Sequence, residues 1–244
     1  MLNVSDPNLK HDAGSDLDPS PQLVHVVWSL AALVALLSGA AVGALGLGFI
    51  AKKIGAPVPD FATVGGVLLG TVAGAAVLYF GLMRSCGWGL RELGFVRPAH
   101  SLWHLLWWTP VTMLCGGVGA MLIGTAAGLA PQDGSADRDG FHLGVAAGLL
   151  MILCGAVVIP AIEEIVFRRM LFDGLRTKLS TPLAAILVTV AFALVHAQPA
   201  VMLYIAFLGT SLVLARLWFQ SLWGSFLVHA ANNALLSAMI LASL

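Results

Sequence analysis

Two adjacent glutamates, Glu163 and Glu164, stand just past the apolar run 142–160, and the chain has only one other glutamate, Glu92. A charged side chain in a membrane span costs about 2.5–3.5 kcal/mol even on lenient insertion scales, so such residues face a bundle interior or a water-filled cavity. Glu164 and Arg168 are four residues apart with the acid on the N-terminal side, the favoured order for a helical ion pair. That pair reads as mainly structural, a buried charge held neutral. Glu163 points about 100° away around the helix, so the same arginine serves it poorly. It is the glutamate that a structural ion pair does not account for.

Two later segments carry polar groups at helical spacing. Phe192 and His196 close the run F-A-L-V-H, and His229 and Asn233 bracket H-A-A-N-N. Residues at i and i+4 share a helix face, so His229 and Asn233 present two hydrogen-bonding groups toward one point. Phe192 reads as packing. A hairpin turning near Leu179–Ser180 places Glu163 sixteen residues before the turn and His196 sixteen after it. With both arms helical, that is about 24 Å from the turn in each case. His229, about 10 Å beyond the Trp223 interface, falls at a similar depth. Glu163, His196, His229 and Asn233 can therefore converge. Pro160 should kink the helix and free backbone groups beside Glu163.

The elements that must position these residues are membrane helices. Of 244 residues, 59% are hydrophobic and 10% charged, against about 25% charged in soluble domains, and the mean hydropathy is +0.94. Apolar runs of about 20 residues span a bilayer as helices. The expected fold is an all-α polytopic bundle of about seven transmembrane helices, with a polar catalytic cavity among the C-terminal ones. The spans lie near 24–50, 61–83, 102–129, from 142 through the glutamates, 182–197, 200–219 and 222–241. Residues 84–101 form either a loop or a short interfacial helix, and 131–140 form a Gly/Asp loop. Three regions result: a polar disordered tail at 1–22, unlike a signal peptide in lacking a basic start and apolar core; N-terminal helices at 23–139; and catalytic helices at 140–244.

Loop charge orients the bundle. With the N-terminus inside, Lys10, Arg84, Arg91, Arg97, Arg168, Arg169, Arg176, Lys178 and Arg216 lie inward, and Lys52, Lys53 and Arg138 outward. The positive-inside rule then favours a cytoplasmic N-terminus. No organelle address is visible, which points to a plasma (inner) membrane. Equal numbers of acidic and basic residues give no basic surface for nucleic acid. Cys86, Cys115 and Cys154 form neither a disulfide framework nor a Cys-x-x-Cys site, and Cys115 and Cys154 read as small hydrophobes. His11 lies in the tail, and His25, His100, His104 and His142 sit at span ends. No H-E-x-x-H occurs, and neither metal nor cofactor is implied.

The runs E-E-I-V-F-R (163–168), F-A-L-V-H (192–196) and H-A-A-N-N (229–233) resemble, in order and position, the three signature motifs of the CPBP family. These are the CAAX-prenyl-protease and bacteriocin-processing intramembrane proteases, also called the Abi family. The likeness covers 140–244, and G-L-R-E-L-G-F-V-R-P (89–98) is similar to a segment often found upstream. The resemblance implies a glutamate-dependent, metal-independent endopeptidase in which Glu163 and His196 activate water. It further implies that His229 and Asn233 form the oxyanion hole and that Glu164 and Arg168 support the site. The implied partners are the lipid bilayer and a membrane-bound or lipid-modified protein or peptide. Two other readings remain at this level. One is a non-proteolytic immunity or scaffold protein on the same fold. The other is a transporter or metal or haem protein using His196 and His229, which the lack of acidic residues in the first three spans disfavours.

Overall fold

The computed structural model describes residues 20–129 and 138–244. The tail, up to residue 19, and most of the Gly/Asp loop expected at 131–140 fall outside the described residues. Seven helices of ten or more residues follow in order: α1 (Leu23–Ile54), α2 (Val58–Ser85), α3 (Leu102–Ala126), α4 (Val145–Leu175), α5 (Thr181–Leu194), α6 (Pro199–Phe219) and α7 (Leu222–Ala242). There are no strands among the described residues. Among the described residues, six helices are long and apolar enough to cross a bilayer, and large side chains such as Leu45, Phe49, Leu114 and Leu149 face outward, as lipid-facing positions do. The chain has the architecture of a polytopic helical membrane protein.

The exception is α5. Its fourteen residues rise only about 21 Å, short of a hydrocarbon core of about 30 Å. It stops at Leu194 rather than at 197 because the chain turns sharply there. Ala197 takes a left-handed backbone with φ 58°, and Pro199 opens the next helix. His196 therefore sits in a turn beyond α5, not on its helical face.

Small residues bring α1 and α2 together. A Cβ at Gly39 would lie 2.9 Å from the Leu69 carbonyl, and one at Gly70 2.7 Å from that of Leu36. Only glycine permits backbones this close, the usual way of packing helices where lipid removes the hydrophobic drive. The centre of the bundle is the C-terminal half of α4. Val166, Phe167, Met170 and Phe172 are almost fully enclosed by Val188 and Phe192 of α5, Leu208, Leu212 and Phe219 of α6, and Leu222 and Val228 of α7. Two stretches of α4, Leu153–Val158 and Ile165–Phe172, are wound as π-helix, a widening common at functional sites.

Residues 86–101 form a loop rather than an interfacial helix, and it is tied to the C-terminal helices. Ala99 N–H donates to Phe219 O at 2.8 Å, Leu222 N–H to Gly94 O at 2.8 Å, Ser221 Oγ to Val96 O at 2.6 Å, and Arg169 Nε to Glu92 O at 2.7 Å. Gly94, with φ 90°, lets the Arg169 stem pass, since a Cβ there would meet Arg169 Cδ at 3.3 Å. The Glu92 carboxyl is held below its usual range by its own backbone N–H and that of Gly89, the latter donating at 2.8 Å. Ser221 also accepts from Trp223 N–H as the cap of α7. Ser221→Ala loses both the cap and the buried bond to Val96. It should cost about 1–2 kcal/mol, read as a lower thermal midpoint in detergent.

His100 stacks on Trp218 with ring centroids 4.3 Å apart, joining the start of α3 to the end of α6. Trp103, Trp107, Trp218 and Trp223, all exposed, thus gather at one end of the bundle, as an interfacial aromatic belt does.

Candidate active site

Glu164 is fully enclosed, and its Oε1 carries two contacts. Arg168 Nη1 lies 3.1 Å away, with both side chains fully buried, and His229 Nδ1 lies at 3.0 Å. The arginine contact is ionic without hydrogen-bond alignment, leaving Glu164 Oε2 and Arg168 Nη1 without hydrogen bonds among the described residues. Arg168 is braced from two further sides. Its guanidinium lies 4.3 Å over the Phe192 ring, and its Nη2 reaches Gly209 O of α6 at 3.4 Å. Phe192 is completely buried, stacking edge-on to Phe167, His196 and His229.

Gly209 is what allows α6 this close. A Cβ there would sit 3.1 Å from Phe192 Cδ1 and 3.7 Å from Arg168 Nη2. Gly209→Leu forces those groups apart and should destabilise by about 1–3 kcal/mol, with cleavage lost alongside. Thermal melting and turnover of the purified variant check both.

Glu163 turns the other way. Its side chain, 12% exposed, holds Oε2 at 3.6 Å from His229 Nε2, so His229 stands between the two carboxylates. Glu163, His196, His229 and Asn233 line one cavity of about 780 Å³ among α4, α6, α7 and the turn after α5. The helical count that predicted a shared depth assumed two unbroken arms; α4 ends at Leu175 and α5 begins at Thr181, yet the residues still meet. In the half-buried His196, Nδ1 lies 2.9 Å from Phe192 O. A carbonyl only accepts, so Nδ1 carries the proton and Nε2 offers a lone pair. A carboxylate and an imidazole lone pair on one cavity can together hold and deprotonate a water molecule.

Two polar residues of the cavity were not singled out in the sequence. Asn232 is 1% exposed, accepts from Tyr204 OH and donates to Asn233 Oδ1 at 3.0 Å. The available signal was a tyrosine inside an apolar span, one of two in the chain. The acidic side of a second cluster was also missed. Asp173 Oδ2 receives Arg216 at 2.7 Å and Arg169 at 3.3 Å, locking α4 to α6 below the site.

Among the described residues, one group of three metal-ligand types lies within 4.8 Å: Asp60, Asp139 and His142. It is separate from the glutamates, and Asp60 Oδ1 already meets Gly140 N–H at 2.9 Å and His142 Nδ1 at 3.0 Å. This contact pins the entry to α4 against the start of α2.

Residues 145–235 match the family model of the Type II CAAX prenyl endopeptidase Rce1-like proteins. The chain carries a CAAX-type intramembrane endopeptidase domain. The match runs from the first residue of α4 to just past Asn233 and so contains Glu163, Glu164, Arg168, His196, His229 and Asn233. This match indicates a peptide hydrolase of the CPBP type. No curated protein and no solved structure matches the chain.

Proposed function

We propose that the endopeptidase is metal-independent and uses Glu163 as its general base. The observation that carries this is the meeting of Glu163, His196 and His229 on one cavity, with Glu164 withdrawn into an ion pair. A water molecule held by His196 Nε2 gives its proton to Glu163 as its oxygen attacks the scissile carbonyl. Asn233 and His229 donate to the oxyanion, His229 from Nε2 as an imidazolium because its Nδ1–H is given to Glu164, and each such donor is worth about 10²–10³ in rate. Collapse of the tetrahedral intermediate breaks the C–N bond, and the proton on Glu163 passes to the leaving amine. Glu164, itself paired with Arg168, fixes the His229 ring through Nδ1, as a second partner fixes a working histidine elsewhere.

The substrate is a membrane-associated or lipid-modified protein or peptide, prenylated C-terminal tails included. Helices within 23–139 brace the catalytic helices of 140–244, with 1–22 as an appended tail. The N-terminus faces the cytoplasm of a plasma (inner) membrane, on the charge distribution of the loops.

The test is a screen of membrane-anchored peptides, prenylated and unmodified, against protein reconstituted in vesicles, with scissile bonds mapped by mass spectrometry. A defined cut that His196→Ala loses supports the reading. A cut that survives His196→Ala removes the histidine from the mechanism.

A further inference from the structure

Asn233 ends a chain of hydrogen bonds whose direction is set from α4. In the π-wound stretch Leu153–Val158, Ile159 N–H bonds to Cys154 O five residues back. One step further, the same pattern would supply Gly155 O with the N–H of residue 160, but that residue is proline and has none. The carbonyl stays open, and Asn233 Nδ2 donates to it at 3.0 Å.

A carbonyl only accepts, so Asn233 must turn its nitrogen toward Gly155 and its oxygen away. Asn232 Nδ2 meets that oxygen at 3.0 Å, which leaves Asn232 Oδ1 to accept from Tyr204 OH. A flip of either amide would set donor against donor or oxygen against oxygen. One N–H of Asn233 goes to Gly155, and its partner on the same nitrogen is the one an oxyanion would take. Tyr204, Gly155 and both asparagines line the cavity that holds Glu163.

We propose that Tyr204 and Pro160 are positioning residues of the hydrolytic site: Tyr204 acting through Asn232, and Pro160 by leaving the Gly155 carbonyl open, hold the Asn233 amide with its donors toward the scissile bond. The proposal rests on the reading of Asn233 as an oxyanion donor. Neither residue needs to touch the substrate.

The experiment has a kinetic arm and a direct arm. Tyr204→Phe, which keeps the ring and removes the hydroxyl, should lower kcat about tenfold, the rate equivalent of one ordinary hydrogen bond. KM should stay within about twofold, as expected when only a transition-state contact is lost. In an Asn233→Ala background, Tyr204→Phe should cost nothing more, because its effect passes through that amide. Losses that multiply independently, or a change confined to KM, would overturn the proposal. The direct arm follows the side-chain amide resonances of ¹⁵N-asparagine-labelled protein, without turnover. The Asn233 resonance should move in Tyr204→Phe and in Pro160→Ala, which restores a competing N–H. Unmoved resonances overturn the proposal whatever the activity. Moved resonances with wild-type cleavage by Asn233→Ala instead overturn the oxyanion reading on which it rests.

Discussion

Glu163→Gln should lower kcat by about 10²–10⁴, the range that a positioned general base contributes, and should leave the fold intact. Glutamine keeps the size of the side chain and its place on the cavity wall but cannot take a proton. Stability should hold because the carboxylate is not a structural partner. The Glu163 side chain makes no hydrogen bond to another described residue, and its Oε2 stands 3.6 Å from His229 Nε2. Removing a poorly compensated buried charge is neutral or stabilising, so the thermal midpoint should be unchanged or higher. A large loss of rate with no loss of stability is the pattern of a working group that the fold tolerates. Parallel measurement of turnover and melting on one preparation checks it. A variant that melts early would show that Glu163 holds the bundle together.

Arg168→Leu should show the reverse balance. Both partners of the Glu164–Arg168 pair are fully buried, and removing one leaves an uncompensated charge, at a cost of about 3–5 kcal/mol. The loss propagates to Phe192, on which the guanidinium rests, and to Gly209 O, which it meets on α6. Arg168→Lys should rescue little, since a single ammonium cannot reproduce the planar contact with the carboxylate, ring and carbonyl at once. Glu164→Gln placed on top of Arg168→Leu should recover part of the stability, because the stranded charge is then gone. Denaturation curves of the three variants decide this, and a double variant no better than Arg168→Leu would contradict the charge explanation.

These two predictions also mark where sequence reading succeeded. The apolar runs announced the long helices, and a spacing of four with the acid leading announced the Glu164–Arg168 pair, because both are local. The 100° step between neighbours likewise separated Glu163 from Glu164 correctly. The short α5 was harder, since the apolar run continues past Leu194 and only the left-handed Ala197 ends it. His196 consequently sits in a turn rather than on a helix face. The loop at 86–101 resembled a known upstream segment, but its bonds to Phe219, Leu222, Ser221 and Arg169 join residues far apart in the chain. Asn232 and Tyr204 escaped notice for the same reason, because their partnership exists only once α6 lies against α7. Pro160 stood out as a helix breaker, but the carbonyl it frees could be matched to Asn233 only in three dimensions.

On the proposed function, this membrane protein hydrolyses a peptide bond with Glu163 and no metal. The most direct measurement is single-turnover cleavage of one membrane-anchored substrate in vesicles, with wild type and Glu163→Gln side by side, before and after exhaustive chelation. Wild-type cleavage that survives chelation and vanishes in Glu163→Gln is the predicted result. Equal cleavage by both proteins, or wild-type cleavage that chelation stops and zinc restores, would contradict it.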